Sequence, residues 1–212
     1  MSSADAILAG VPRETRDRLE MYVAELRRWQ AVTNLISART LPEVWSRHIA
    51  DSLQLADLAD GQIWADLGSG AGFPGLALAI ARPGIRLVHL IEADSRRCAF
   101  LRHVARVTAA PAQVWDGRIE SVLSHIQPRP DVVTARALAP LPELLALAEN
   151  VLIAGATGLF PKGREYELEL TAARKCWRFE VDVIPSRTDS DARILRVRQF
   201  GGSLHDPARE SL

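Results

Sequence analysis

The chain has 212 residues, of which 48% are hydrophobic and 25% are charged, as expected for one globular domain with a substantial core. Its 26 basic and 26 acidic residues cancel, which argues against a non-specific nucleic-acid coat but allows a local basic face. No stretch approaches the roughly 18 apolar residues of a membrane span, and the first residues lack a secretory pattern. We therefore expect a cytoplasmic protein with no membrane partner.

Two cysteines, Cys98 and Cys176, lie far apart on predicted helices. They are too few for a disulfide framework or a zinc site, so both are interpreted as buried thiols and no metal is expected. No exposed apolar stripe indicates a partner chain, and we expect a monomer.

Residues 1–60 are predicted to form an N-terminal helical cap. Apolar residues between positions 12 and 33 recur in steps of three and four, which is typical of an amphipathic helix. These residues are Leu19, Tyr22, Leu26 and Trp29. A second helix is predicted between Thr40 and Leu58, with Pro42 in its first turn.

Strands and helices alternate through residues 61–200. The predicted strands are 62–67, 85–93, 112–115, 131–137 and 157–163, and the predicted helices are 75–81, 95–107 and 142–152. Such alternation indicates an α/β fold with a mostly parallel sheet, because parallel neighbours need a crossover connection. Two further β-rich runs, 178–186 and 192–200, have no helix between them and are expected to pair antiparallel at the sheet edge. Residues 201–212 read as a flexible tail.

A glycine-rich turn, DLGSGAGFPG, occupies residues 66–75, directly after the first predicted strand. Open α/β sheets bind nucleotide-like ligands at this position, where glycine permits positive φ and close backbone approach. A dinucleotide fingerprint that begins at Gly68 would need glycine at position 73, which is Phe73. A glycine turn with only a structural duty is the alternative.

The acid before this turn favours a cationic ligand. Asp66 precedes the first glycine by two residues and would repel a pyrophosphate, but it suits ammonium and sulfonium groups. S-adenosylmethionine carries both. The predicted cofactor contacts in the turn are Asp66, Gly68, Gly70 and Gly72.

Two later strand ends are expected to complete the cofactor site. Glu92 ends the second strand, where a carboxylate can accept hydrogen bonds from both ribose hydroxyls. The third strand is followed by residues 116–120, where Ile119 can pack on the adenine ring and the backbone near Glu120 can meet its polar edge. A surface glutamate that caps a loop is the alternative for Glu92.

Arg136 follows the fourth strand at the same edge. It is predicted to bind either the methionine carboxylate of the cofactor or the acceptor base. A salt bridge with Glu143 or another acid is the structural alternative.

Several longer segments resemble one enzyme family. GSGAGFPGLALAIARP, DVVTARALAPLPELL, FPKG, WQAVTNLIS and RHIADSL resemble the bacterial small-subunit ribosomal RNA guanine-N7 methyltransferases, a family also called glucose-inhibited division protein B. The resemblance covers about residues 19–162. It implies a Rossmann-like class I methyltransferase fold, S-adenosylmethionine as cofactor with S-adenosylhomocysteine as product, and a guanine in the 530 loop of 16S rRNA as acceptor. The family's cofactor contacts fall on Gly68, Phe73, Ile119, Glu120 and Arg136.

Transfer to guanine N7 needs positioning more than a general base, because N7 carries an available lone pair. Arg136 and Lys162 are the candidate catalytic residues, which would orient guanine through its O6 and N7 acceptors. Adenine-N6 chemistry is not favoured, since TARALAP stands where such enzymes have a proline-rich tetrapeptide. Pyrimidine-C5 chemistry needs a nucleophilic cysteine, whereas Cys98 lies in an apolar helix stripe.

Substrate contacts are expected around this centre. Asn34 and His48 of the cap are candidates for the entrance, although a structural hydrogen bond is the alternative for His48. Phe73 or a nearby tryptophan is expected to stack on the splayed base. Four arginines are candidates for backbone contact with 16S rRNA in the small subunit or its precursor: Arg96, Arg97, Arg102 and Arg106. A methyltransferase with a small-molecule or protein acceptor, and a non-catalytic nucleotide-binding module, remain alternatives.

Overall fold

The computed structural model describes residues 7–204 of the chain. Seven strands form one sheet: β1 (Ile63–Leu67), β2 (Leu87–Glu92), β3 (Ala112–Asp116), β4 (Val132–Ala135), β5 (Thr157–Lys162), β6 (Trp177–Pro185) and β7 (Arg193–Ser203). Their order across the sheet is β3-β2-β1-β4-β5-β7-β6. The first five strands are parallel, and β7 runs antiparallel to both β5 and β6. The predicted parallel sheet with an antiparallel edge pair is confirmed.

Helices cover both faces of this sheet. They are α1 (Arg13–Gln30), α2 (the π-helical segment Trp45–Ala50 with its continuation Asp51–Leu53), α3 (Gly75–Ala81), α4 (Ser95–Val107), α5 (Ile119–Val122), α6 (Leu141–Ile153) and α7 (Tyr166–Arg174). The helix predicted between Thr40 and Leu58 is therefore shorter than expected, and turns flank it on both sides. Helix α5 was not predicted. A helix was expected at Cys176 without stated bounds, but α7 ends at Arg174, and Cys176 is a half-buried residue in the turn that follows. Within residues 7–204, no helix has the length and apolar character needed to cross a bilayer.

Two apolar layers sandwich the sheet. One layer packs against α1, α3 and α4, and the other packs against α5, α6 and α7. Side chains alternate between the layers along each strand. In β1, Trp64 belongs to the first layer, whereas Ala65 and Leu67 belong to the second. Asp66 therefore points to the first layer, toward α3.

The cap is part of the same core as the sheet. Leu19, Tyr22 and Leu26 are buried on α1, which confirms the predicted apolar stripe. They join strand residues such as Trp64 and Val88 in the first apolar layer. The cap and the sheet thus share one hydrophobic core, and α1 lies beside the glycine-rich turn.

The boundary predicted for the C-terminal tail is wrong by three residues. Gly202 and Ser203 pair with Arg178 and Trp177 in the antiparallel edge, so β7 includes residues 201–203. Two adjacent glycines are typical of a loop, which is why the sequence predicted one here. A paired strand can nevertheless contain glycine where the sheet needs no side chain for packing. Residues 205–212 of the predicted tail lie outside the described residues.

Candidate cofactor and substrate site

The glycine-rich turn lies at the carboxyl end of β1, where glycine is required at two positions by sterics. Gly68 and Gly72 have φ of +64° and +94°. A Cβ at Gly68 would lie 2.7 Å from Leu138 Cδ1, and one at Gly72 would lie 2.8 Å from Leu76 Cβ. Any larger residue would push the turn away from its neighbours. The turn at residues 68–72 therefore has no side chain at Gly68, Gly70 and Gly72, as the sequence predicted.

Asp66 lies beneath this turn. Its Oδ2 accepts a hydrogen bond from the Gly75 N–H at 3.1 Å, and its carbonyl accepts one from Ser69 Oγ at 2.9 Å. A Cβ at Gly75 would come within 2.6 Å of Asp66 Cβ, so this glycine makes room for the carboxyl group. Asp66, which the sequence predicted as a cofactor contact, is 0% exposed.

The second carboxyl oxygen of Asp66 is unpaired. Oδ1 is buried and has no hydrogen-bond partner among the described residues. Burial raises the Asp66 pKa from 3.8 to about 7, against the opposing effect of the Gly75 N–H. A buried carboxylate with an unpaired oxygen is costly, and a nearby cation lowers that cost. This feature fits a sulfonium or ammonium group brought to the turn.

Glu92 fastens the turn to the end of β2. Its Oε2 accepts from Gly70 N–H at 2.8 Å, and its Oε1 accepts from Ala93 N–H and Asp94 N–H, both at 2.9 Å. A carboxylate has about four acceptor positions, so three backbone donors leave capacity for about one more. A single ribose hydroxyl fits this remaining capacity better than the two that were expected.

The β3 end carries the residues predicted for adenine. Gly117 N–H donates to the Glu92 carbonyl at 2.9 Å, which brings the loop after β3 against the end of β2. Ile119 is half-buried at the start of α5, and Glu120 is exposed beside it. The structure thus brings Glu92, Ile119 and Glu120 to one edge of the sheet.

Phe73 is packed by the cap. Its ring is 5% exposed and stacks on Tyr22 at 5.2 Å and on His48 at 5.0 Å between centroids. The Arg136 guanidinium carbon lies 5.5 Å from the same ring. A ring this deeply packed offers little surface to a nucleobase, so the expected stacking of the target base on Phe73 is not supported in this conformation.

Arg136 is bound to α2. Its NH1 donates to Asp51 Oδ2 and to the Arg47 carbonyl, both at 3.1 Å, and its NH2 donates to His48 Nδ1 at 2.7 Å. The salt bridge considered as the alternative is therefore present, with Asp51 as partner instead of Glu143. The guanidinium holds the cap over the carboxyl end of β4.

His48 is a neutral acceptor in this arrangement. Burial and the charge of Arg136 lower its pKa to about 4. Because Nδ1 accepts from Arg136, we assign the ring proton to Nε2, which lies 3.0 Å from Thr40 Oγ1. The structural alternative for His48 agrees with these contacts.

The other predicted substrate residues are spread along the cap and α4. Asn34 is exposed, and its carbonyl accepts from Arg97 at 3.4 Å. Arg96 is exposed. Arg102 lies 3.9 Å from an Asp116 carboxyl oxygen, and Arg106 donates to the His103 ring at 3.4 Å. Asn34 and Arg97 are therefore in contact, whereas His48 stacks on Phe73 and is not part of this contact.

A cavity of about 470 Å³ opens at the carboxyl ends of β4 and β5. Its walls are α2, residues 136–140 and the turn between β6 and β7. Arg136 and Lys162 both line it, so the structure brings the two candidate catalytic residues to one space. Leu138 also lines the cavity and abuts Gly68, which makes the cavity a direct neighbour of the glycine-rich turn.

Lys162 has a carboxylate partner that sequence reasoning missed. Its Nζ lies 2.7 Å from Glu169 Oε2 and donates to the Ala139 carbonyl at 2.7 Å. The same Glu169 oxygen accepts from Leu141 N–H at 2.7 Å. Glu169 lies on α7, whose nine residues, YELELTAAR, are too few for a clear apolar pattern in the sequence.

A polar contact between α2 and the β6–β7 turn was also missed. The Gln54 side chain donates to Asp51 Oδ1 at 2.7 Å and to Ser186 Oγ at 3.2 Å, and it accepts from Arg187 N–H at 2.8 Å. Thr188 Oγ1 donates to Asp51 Oδ1 at 2.7 Å. These bonds join two walls of the cavity across more than 130 residues of sequence.

Cys98 is poorly suited to act as a nucleophile. Cys98 is buried, its Sγ donates to the Glu92 carbonyl at 3.2 Å, and burial raises its pKa to about 11. A thiol with this pKa stays protonated and is a poor nucleophile. Within residues 7–204, no group of three or more His, Cys, Asp or Glu residues is placed to hold a metal ion.

The fold and the site define a class of protein. A methyltransferase from Geobacter sulfurreducens has the same fold, with a TM-score of 0.57 at 15% identity over 91% of this chain and 93% of that one. The seven-stranded sheet with its antiparallel edge pair is that of the Rossmann-like methyltransferase fold.

Sequence comparison identifies the family within this class. The family model described as rRNA small subunit methyltransferase G matches residues 15–193. Ribosomal RNA small subunit methyltransferase G of Methylobacterium radiotolerans is 56% identical over 200 residues, which cover 93% of this chain and 94% of the relative. The protein of that name from Bradyrhizobium is 48% identical over 199 residues, which cover 92% and 89%. The chain belongs to the rRNA small subunit methyltransferase G family, and the resemblance stated from the sequence is confirmed.

Proposed function

We propose that the protein transfers the methyl group of S-adenosylmethionine to N7 of a guanine in the 530 loop of 16S rRNA. The observation that carries the proposal is the cavity beside the glycine-rich turn, which Arg136 and Lys162 line. The names of the relatives support small-subunit rRNA as the acceptor. The cavity volume of about 470 Å³ is ample for one flipped nucleobase.

The cofactor is proposed to lie across the ends of β1, β2 and β3. When bound, S-adenosylmethionine supplies an electrophilic methyl group on a positively charged sulfur. Gly68, Gly70 and Gly72 allow the main chain to approach the ligand closely, and the Asp66 carboxylate attracts the cation from below. Glu92 accepts a ribose hydroxyl with its remaining acceptor capacity. Ile119 and Glu120 would contact the adenine.

The protein's part in the transfer is orientation. Methyl transfer from a bound cofactor to N7 would break the methyl–sulfur bond and leave the electron pair on sulfur, so the residues of the cavity would need only to hold the base in position. Lys162 keeps one N–H beyond its contacts with Ala139 and Glu169, and we propose that it donates to the guanine O6. Arg136 acts by holding α2 and Phe73 against the turn.

The rRNA backbone is proposed to contact the arginines of α4. Their charges are solvent-exposed apart from the half-buried Arg97, and a phosphate would compete with the 3.9 Å pair between Arg102 and Asp116. Contacts of this kind weaken with added salt. We also propose that the protein acts as a monomer in the cytoplasm, on the small subunit or its precursor.

Purified protein, labelled S-adenosylmethionine and small subunits from cells that lack the protein test this function. We expect label in 16S rRNA and 7-methylguanosine in its nuclease digest, measured by mass spectrometry. Charge reversal of Arg102 and Arg106 is expected to lower kcat/KM roughly 10-fold or more at low salt. Label that reaches only a protein or a small molecule would support the alternative acceptor and contradict the proposal.

A further inference from the structure

Lys162 and Glu169 form a fixed pair in the wall of the cavity. Their Nζ and Oε2 atoms are 2.7 Å apart, and the Lys162 side chain is 8% exposed. Hydrogen bonds from Leu141 N–H to Glu169 and from Lys162 to the Ala139 carbonyl hold both ends of the pair. Each member retains an unused group, since an ammonium has three N–H donors and Glu169 Oε1 has no hydrogen-bond partner among residues 7–204. Both residues line the cavity.

We propose that Glu169 reads the Watson–Crick edge of the target guanine together with Lys162, an inference that rests on the proposed function. The pair presents a donor beside an acceptor. Guanine presents the complement, because its O6 acceptor lies beside its N1–H donor. Lys162 therefore donates to O6 while Glu169 Oε1 accepts from N1–H, and the opposite side of O6, with N7, remains free to face the methyl group.

The same arrangement rejects adenine. Adenine carries an amino donor at position 6 and an acceptor at N1, so it sets a donor against Lys162 and a lone pair against Glu169. Partly buried charged groups that lose their partners penalise the wrong ligand heavily. Arg136 keeps two N–H donors beyond its contacts with Asp51, Arg47 and His48, but it has no acceptor beside it for N1–H as Lys162 has in Glu169.

Glu169→Gln tests the inference on the enzyme side. The glutamine oxygen can still accept from Leu141 and Lys162, but its NH2 group then faces the cavity as a donor. With subunits reconstituted around 16S rRNA that carries guanine at the target position, we expect kcat/KM to fall roughly 10- to 100-fold. With adenine at that position we expect a much smaller loss of kcat/KM. The ratio of kcat/KM for guanine to kcat/KM for adenine should therefore fall. Glu167→Gln is the matched control, since Glu167 is exposed on the same helix and does not line the cavity.

A substrate-side measurement needs no variant. Subunits that carry 1-methylguanine at the target position retain O6 and N7 but lack N1–H. We expect the unmodified enzyme to methylate them at least roughly 10-fold more slowly, with an unchanged Kd for S-adenosylmethionine. Full activity on 1-methylguanine, or equal losses on guanine and adenine with Glu169→Gln, would overturn the inference and leave Glu169 only a structural role. Absence of 7-methylguanine with the unmodified enzyme and natural subunits would instead overturn the proposed function itself.

Discussion

At the residue scale, the chemistry of the turn centres on a carboxyl group that the fold keeps out of water. One carboxyl oxygen of Asp66 accepts a hydrogen bond and the other has no partner among the described residues. Burial raises the pKa of this group to about 7. A carboxyl group in this state is only partly ionised at neutral pH. A bound cation favours its ionised form, so cofactor binding and deprotonation of Asp66 are linked.

The affinity for S-adenosylmethionine should therefore depend on pH. Between about pH 6 and about pH 8 the free protein loses the Asp66 proton, and we expect the affinity to rise up to roughly 10-fold. Asp66→Asn should bind more weakly at the upper pH and lose this dependence. Titration calorimetry measures both, and an equal pH slope in the variant would contradict the assignment.

The raised pKa of Asp66 also determines how the free energy of unfolding changes with pH. A carboxyl pKa raised from 3.8 to about 7 makes the group's contribution to the free energy of unfolding fully present below about pH 3.8 and lost as the pH rises toward about 7. His48, with a pKa lowered to about 4, acts in the opposite direction, because its contribution is lost as the pH falls through about 4.

At the element scale, the cap is held by polar contacts that converge on α2. Asp51 accepts from Arg136 through one oxygen and from Gln54 and Thr188 through the other. One carboxylate thus connects α2 with the end of β4 and with the turn between β6 and β7. Two walls of the cavity depend on it.

Arg136→Lys tests this connection. Lysine keeps the charge but loses the planar fork that reaches Asp51, Arg47 and His48 together. We expect the free energy of unfolding to fall by about 1–3 kcal/mol and kcat to fall roughly 10-fold or more. Urea unfolding and single-turnover methylation provide the measurements. Arg129→Lys, at an exposed site away from the cavity, is the control, and equal behaviour of the two variants would contradict the role.

The elements differ in how well the sequence predicts them. The strands and α4 follow from local apolar periodicity, and the bare turn follows from its glycines. The four-residue α5 and the nine-residue α7 are too short for a clear pattern, and Glu169 was missed with α7. The contact between Gln54 and Ser186 has no local signal at all, because it joins residues 132 positions apart.

At the scale of the whole molecule, the site follows from the topology. Parallel strands end at one edge of the sheet, so the turn after β1, Glu92 of β2 and Lys162 of β5 lie at the same edge. The proposed cofactor and acceptor sites are therefore neighbours, although Asp66 and Lys162 are 96 positions apart in the sequence. The sequence predicted a site at this edge, but it did not predict that Arg136 pairs with Asp51 and Lys162 with Glu169.

The most direct test is a map of 16S rRNA from cells that lack the protein. Mass spectrometry of nuclease fragments should find one guanine of the 530 loop without its N7 methyl group, and the unmodified chain should restore it whereas Asp66→Asn should restore it poorly. An rRNA that keeps the same methylation in the absence of the protein would contradict the account.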